Sequence, residues 1–286
     1  MEISILSFNN GKHLRGAEIW AQSLQEKMKD KYEIKIFESF SKWVLGDINI
    51  PINGRWQVFI CRFLTWIRGK PMVVFGHSGL GADDKWNLLC SPDIFVAFSD
   101  YQKGWAEKYK LPWTKIVKIS HAIDLTRFSP AACRPDNKTV LCVAANTPDK
   151  RVGLVAAAVK LIHGVNFMAI GKGNPVEASF EEMPEIYKKA DLFCFVPQSW
   201  EAFGLVYLEA MASNLPVVTV DDPIRREIVG EAGIFVKEPI SVDKLTSAIE
   251  FAMKSDWKDI PRKQAEKFSW NLAVKEYDKL FRSLIK

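Results

Sequence analysis

The sequence predicts an α/β protein built as two doubly wound domains in tandem. Short apolar runs rich in β-branched and aromatic residues alternate with stretches of helical period along nearly the whole chain. That alternation breaks once, over 120–138, where Pro130, Pro135, Asp136 and Asn137 mark a linker. A length of 286 residues, 48% of them hydrophobic and 26% charged, is ample for two cores.

In chain order, strands fit 3–8, 32–37, 72–75, 94–98 and 116–119, with helices over 17–29, 56–68 and 101–110. The second series places strands at 139–143, 165–170, 192–196, 217–220 and 234–236. Helices fit between and after them at 150–162, 182–190, 204–213, 223–229 and 241–254, and helical stretches at 258–268 and 271–285 close the chain. The expected domains are 1–130, 131–268 and a closing helix within 269–286. Parallel strands joined by crossover helices bind ligands at their carboxyl ends, here expected to face a cleft between the domains.

Composition narrows the function classes. The 16 Gly and 14 Pro exclude a collagen-like or low-complexity chain, and the apolar content excludes intrinsic disorder. The first residues lack a secretory apolar region, and nowhere do about 18 uncharged apolar residues occur in succession. The five cysteines form no Cys-x-x-Cys pair, which reads as reduced thiols in a cytoplasmic protein with no metal site. The net charge of +5 lies wholly in residues 1–130, with 18 Lys+Arg against 13 Asp+Glu. That field suits an anionic small-molecule or lipid partner and falls far short of a nucleic-acid binder's.

The densest chemical signal runs from Val196 to Ala212. A buried strand ends at Val196 and a helix starts near Gly204, so unpaired N–H groups and the positive helix end are offered to an anion. Gly204 allows close backbone approach to a diphosphate, and Glu209 lies about 7 Å further along the helix, where it can accept from two ribose hydroxyls. Glu201 precedes the helix on the side where a sugar hanging from the diphosphate would lie. A glycosidase carboxylate pair is the rival reading. Eight helical positions would separate the two by about 12 Å, too far for that chemistry, although a loop position for Glu201 leaves the separation open.

This segment resembles the signature of glycosyltransferase family 4, with Phe203-Gly204-Leu205 after the first glutamate and Glu209-Ala210-Met211 at the second. Arg15-Gly16-Ala17-Glu18 is similar to the family's loop after the first strand, and the run from Ile119 to Pro130 to its interdomain segment. Pro148-Asp149-Lys150, Pro216-Val217-Val218 and Phe268-Ser269-Trp270 match further motifs in the same order. The resemblance implies the GT-B fold, two Rossmann-like domains facing a cleft, with the C-terminal helix commonly crossing back to the first. It implies a metal-independent, retaining hexosyltransferase with no cofactor besides its nucleotide diphosphate sugar, UDP- or GDP-linked, and a carbohydrate or lipid-linked acceptor.

The same resemblance assigns roles. Lys150 neutralises the departing diphosphate, Glu201 holds donor-sugar hydroxyls, and the N–H groups of Phe203, Gly204 and Leu205 hold sugar and phosphate oxygens. Glu209 takes the ribose, Gly16 caps the phosphates from the first domain, and His77 lies near the transferred sugar. Lys150, taken alone, is an uncompensated cation unfavourably placed against a helix dipole.

The sequence also departs from the family. Ala145 stands where an arginine is usual, and Arg151 either replaces that cation or faces solvent. Asn214 replaces a glycine able to take a left-handed conformation, which Asn tolerates. The first domain is short for the family, so the acceptor side is read as trimmed. No Asp-x-Asp occurs, which speaks against a metal-dependent GT-A enzyme.

Over 55–70, Trp56, Phe59, Ile60, Phe63, Leu64 and Ile67 fall on one helical stripe, with Arg55, Arg62 and Arg68 nearby. The expected reading packs this stripe on the sheet, since Pro71 and a strand follow directly. The other reading rests it on an anionic bilayer, which would make the protein peripheral to the inner face of a membrane. Two alternatives to an active transferase also stand: a non-catalytic sugar-nucleotide-binding or scaffold subunit, and a GT-B epimerase.

Overall fold

The computed structural model describes every residue except 9–15, 53–54, 134–137, 199–200 and 285–286. Arg15, the linker residues Pro135, Asp136 and Asn137, and Ser199 and Trp200 of the signature therefore lie outside the described residues. The chain divides into two compact units, Met1–His121 with Trp270–Lys286, and Ala122–Ser269.

The first unit runs β1 Glu2–Ser7, α1 Gly16–Met28, β2 Glu33–Phe37, β3 Ile48–Ile52 and α2 Arg55–Ile67. It continues with β4 Val73–Phe75, α3 Ala82–Leu89, β5 Ile94–Ala97, α4 Asp100–Tyr109 and β6 Lys115–Lys118. All pairings are parallel, in the orders β2-β1-β3 and β4-β5-β6, and an Asn49–Met72 bridge joins the two sets. Buried β-branched and aromatic residues fill the strands because both faces of a parallel sheet are covered.

The second unit runs β7 Thr139–Val143, α5 Val152–Lys160, β8 Asn166–Ile170, α6 Met183–Tyr187, β9 Leu192–Phe195 and α7 Leu205–Ala212. It ends with β10 Val217–Val220, α8 Pro223–Val229, β11 Gly233–Val236, α9 Val242–Lys254 and α10 Ile260–Glu266. Its parallel sheet has the order β8-β7-β9-β10-β11. Strand order reverses between β7 and β9, so their loops diverge and leave a crevice at their carboxyl ends, the place where such sheets bind ligands.

Helix α11, Trp270–Arg282, is part of the first unit. Tyr277 accepts a 2.9 Å bond from the Trp20 indole of α1, and Tyr32 donates to Asp278 at 2.6 Å. The sequence places the domain boundary at 130, whereas the segment from Ala122 is held by the second unit. Ile123 N–H donates to the Phe268 carbonyl, and the Arg262 guanidinium reaches the carbonyls of Leu125 and Phe128.

Two elements escape the sequence reading, β3 and α3. Pro51 argues against a strand, yet Asn49 N–H points to the β4 side, at the Pro71 carbonyl, and Pro51 follows it by two. The missing N–H of Pro51 therefore falls on that same side, where β3 and β4 share a single bridge, and the ladder to β1 is untouched.

Helix α2 corrects an expectation. The face against the rest of the unit is Val58, Cys61 and Thr65, all buried, whereas Trp56, Phe59, Ile60, Phe63 and Ile67 are exposed. At about 100° per residue the two faces lie on opposite sides of the helix. Periodicity found the stripe but not its direction, because the helix is apolar on both sides and the smaller residues allow the closer approach.

Candidate functional site

The site is built where β7 and β9 end. After β7 the chain turns through Thr147, whose carbonyl accepts from Lys150 N–H at 3.0 Å, and starts α5 from Arg151 in a left-handed conformation, φ 54°. After β9, Gln198 N–H donates to the Asp149 carbonyl at 2.8 Å, tying the two loops together. This brings Lys150 Nζ to 2.7 Å from Glu201 Oε2. The sequence view of Lys150 as uncompensated is thereby corrected: a carboxylate from the neighbouring loop neutralises it. The ion pair is largely shielded, with side-chain exposures of 28% and 21%, so its charges are screened less than a surface pair's.

Arg225 of α8, buried, fixes the next segment. Its guanidinium donates to the Glu201 carbonyl at 2.8 Å and lies 3.0 Å from the Asp222 carboxylate. Asp222 in turn caps α8 by accepting from Arg225 N–H. Helix α7 then starts from Gly204 at φ 88° and ψ 76°, with no side-chain cap among the described residues. A Cβ on Gly204 would stand 2.6 Å from the Tyr207 ring, so glycine is required by this turn as well as by any approaching ligand. Tyr207 is anchored through its hydroxyl to the Phe195 carbonyl and Thr219. Phe203 is buried with its ring 6.2 Å from that of Phe268.

Glu209 is buried on α7 and accepts from the Tyr187 hydroxyl at 2.7 Å. Burial pushes its carboxyl up to about 7, a rise that the Tyr187 bond and the positive charge of Arg127 partly oppose. The Arg127 guanidinium stacks over Phe180 at 4.0 Å and donates to its carbonyl. Both glutamates of the signature are thus held by partners, Glu209 buried and Glu201 only partly exposed.

Of the remaining sequence-derived residues, Arg151 neither faces solvent alone nor stands ready as a second cation: it is ion-paired with Glu238. Leu205 opens α7, and Gly16 opens α1 at the edge of the undescribed 9–15 segment. His77 follows β4 in the first unit, among the rings of Trp20, Phe98 and His121 at centroid distances of 5.0, 5.0 and 5.3 Å. Its Nε2 is sealed from solvent without a partner, and burial lowers its pKa to about 3, so the ring is neutral. A buried network pins its loop: Gln102 donates to the Gly76 carbonyl at 2.7 Å and accepts from Phe98 N–H, and Asp84 takes bonds from Asn87 and Gln102. Asn214 adopts φ 58°, the left-handed conformation expected of it.

Sequence reasoning brought together Lys150, Glu201, Phe203, Gly204, Leu205 and Glu209, all in the second unit. It missed Tyr187, Arg127 and Arg225. Arg127 lies in the Ile119–Pro130 run but carries no role there, Tyr187 and Arg225 belong to no local pattern, and only the packing of α6, α8 and the 122–130 segment on α7 and its loop brings them in.

Residues 176–271 match the family described as "Glycosyl transferases group 1". Over 95 residues the chain is 37% identical to O-antigen chain mannosyltransferase B of Escherichia coli, covering 32% of this chain and 24% of that protein. Over 70 residues it is 39% identical to the lipopolysaccharide core biosynthesis mannosyltransferase LpsB of Rhizobium meliloti, covering 24% and 20%. The aligned part thus spans about a quarter or less of these relatives' length. The fold matches over 99% of this chain that of Anabaena HepE, solved with UDP and glucose, at a TM-score of 0.78 and 15% identity with all of that chain covered. Sucrose-phosphate synthase of Thermosynechococcus elongatus matches at 0.80 and 16% identity, covering 99% of this chain and 98% of that one. The fold is GT-B.

Proposed function

We propose that this chain, whose residues 176–271 match the glycosyl transferases group 1 family, is a retaining, metal-independent hexosyltransferase. It moves a hexose from a nucleotide diphosphate sugar, UDP- or GDP-linked, to a carbohydrate or lipid-linked acceptor. The observation that carries this reading is the Lys150–Glu201 pair at the strand-order switch, beside the uncapped start of α7 and the buried Glu209. An ammonium and helix N–H groups attract a diphosphate, while two carboxylates accept hydroxyls on either side of it. The relatives named as mannosyltransferases and HepE, solved with UDP and glucose, lend the reading its donor class.

Before the donor binds, Lys150 and Glu201 neutralise and orient one another. The incoming diphosphate competes for the ammonium, and Glu201 is released to accept hydroxyls of the donor sugar. Glu209 takes the ribose hydroxyls, and the N–H groups of Phe203, Gly204 and Leu205 take sugar and phosphate oxygens. Arg151, one residue on, is held by Glu238 and meets the diphosphate only where that pair opens.

Transfer proceeds on one face. The bond from the anomeric carbon to the β-phosphate oxygen breaks, the acceptor oxygen bonds to that carbon from the same side, and the acceptor proton passes to the departing phosphate oxygen. Lys150 and the α7 N-terminus stabilise the charge that develops on the diphosphate. The test is a panel of UDP- and GDP-hexoses, mannose and glucose first, read by release of free nucleotide with and without acceptor. Slow release from at least one donor is expected. Tight binding with no release from any would overturn the enzyme reading and favour a sugar-nucleotide-binding subunit.

A further inference from the structure

The exposed side of α2 is not an ordinary surface. Trp56 and Trp66 are each 70% exposed, Phe63 53%, and Phe59 and Ile67 lie beside them. Across a groove from α2, Trp86 and Leu89 of α3 and Trp113 continue the patch, with Trp56 and Trp86 rings 6.3 Å apart. The groove between, about 500 Å³, is almost wholly apolar apart from Arg62 and Ser91. Single exposed apolar residues are common on proteins, but a contiguous aromatic face of this extent marks an interaction site.

Charge decides between occupants. Residues 48–82 contain Arg55, Arg62, Arg68 and Lys70 and no Asp or Glu. Arg62 is paired with Asp93 and Lys70 with Asp47, whereas exposed Arg68, at the end of α2, has no carboxylate partner among the described residues. A second copy docked through the same face would set the basic 48–82 stretch against itself. Tryptophan and phenylalanine beside arginine suit instead the boundary between acyl chains and anionic headgroups, where an indole buries its ring and keeps its N–H wet. Helix α2 has 13 residues, so at about 1.5 Å each it covers roughly 20 Å and cannot cross a hydrocarbon core of about 30 Å. Indeed, no helix among the described residues is long and apolar enough to cross a membrane.

We infer that the face formed by α2, α3 and Trp113 seats the first unit on an anionic bilayer, with the aromatic rings inserted at headgroup level and Arg68 among the lipid phosphates. The inference stands apart from the donor site, none of whose second-unit residues it uses. It supplies a physical route to a lipid-linked acceptor.

The test is flotation of the full chain with phosphatidylcholine vesicles, with and without phosphatidylglycerol. The wild type should float with the anionic vesicles and poorly with the neutral ones. F63S/W66S alters only exposed side chains and should melt like the wild type, yet its partition coefficient should fall at least about tenfold. R68E should lose at least about fivefold on anionic vesicles and little on neutral ones. The proposal is overturned if the wild type stays with the soluble fraction in both cases, or if F63S/W66S floats as well as the wild type. It is equally overturned if light scattering shows a dimer that F63S/W66S dissolves while neither protein floats.

Discussion

Burial holds the Glu209 carboxyl near neutrality, so its charge is set by the working pH rather than fixed. Only the carboxylate accepts from both ribose hydroxyls, and it forms as the pH rises through about 7. Affinity for a nucleotide sugar should therefore increase several-fold between about pH 6 and pH 8, measured by calorimetric titration, with E209Q flat across that range. Asp84 behaves alike for stability. Its burial pushes the carboxyl up to about 8 from the ordinary 3.8, so the folded state keeps a proton that the unfolded chain has lost. Stability must then fall as the pH rises between those values. Thermal melts should show D84N, which mimics the protonated carboxyl, gaining on the wild type as the pH goes from about 5 to about 8. Sequence could mark Glu201 and Glu209, because their types and spacing form a pattern. It could not show that Glu201 is already occupied by Lys150, since that pairing depends on two loops meeting 51 residues apart.

At the level of elements, the start of α7 is tightly constrained. G204A places a Cβ against the Tyr207 ring and forces an L-residue into a left-handed turn. It should cost about 1–3 kcal/mol in urea unfolding and weaken donor binding, because the first helical N–H groups shift with the turn. Helices and strands of the second unit were legible nearly throughout, each a compact apolar run between turn residues. In the first unit β3 was hidden by Pro51, which is harmless only because of which side its missing N–H faces. Helix α2 was legible as a helix and illegible in orientation, having no polar face to mark solvent. Tertiary packing, not local pattern, chose Val58, Cys61 and Thr65 for the interior.

For the molecule as a whole, the sequence places the basic excess in the first 130 residues and the donor motifs in the rest. The structure attaches a meaning to each: an exposed aromatic face beside the basic 48–82 stretch on the first unit and the Lys150–Glu201 pair on the second. The chain returns to its first unit at α11, where the Trp20–Tyr277 bond is buried. Y277F leaves that indole N–H without its acceptor and should lower global stability by about 1–3 kcal/mol, read from denaturant unfolding. The central claim is that Lys150 and Glu201 stabilise the transfer of a sugar out of a nucleotide diphosphate. Its most direct test compares turnover of the accepted donor by purified wild type, K150A and E201A, all shown to be folded. Each variant should lose about tenfold to a hundredfold or more, the range for removing one electrostatic contact to developing charge. Near-normal turnover in both would contradict the assignment of this site.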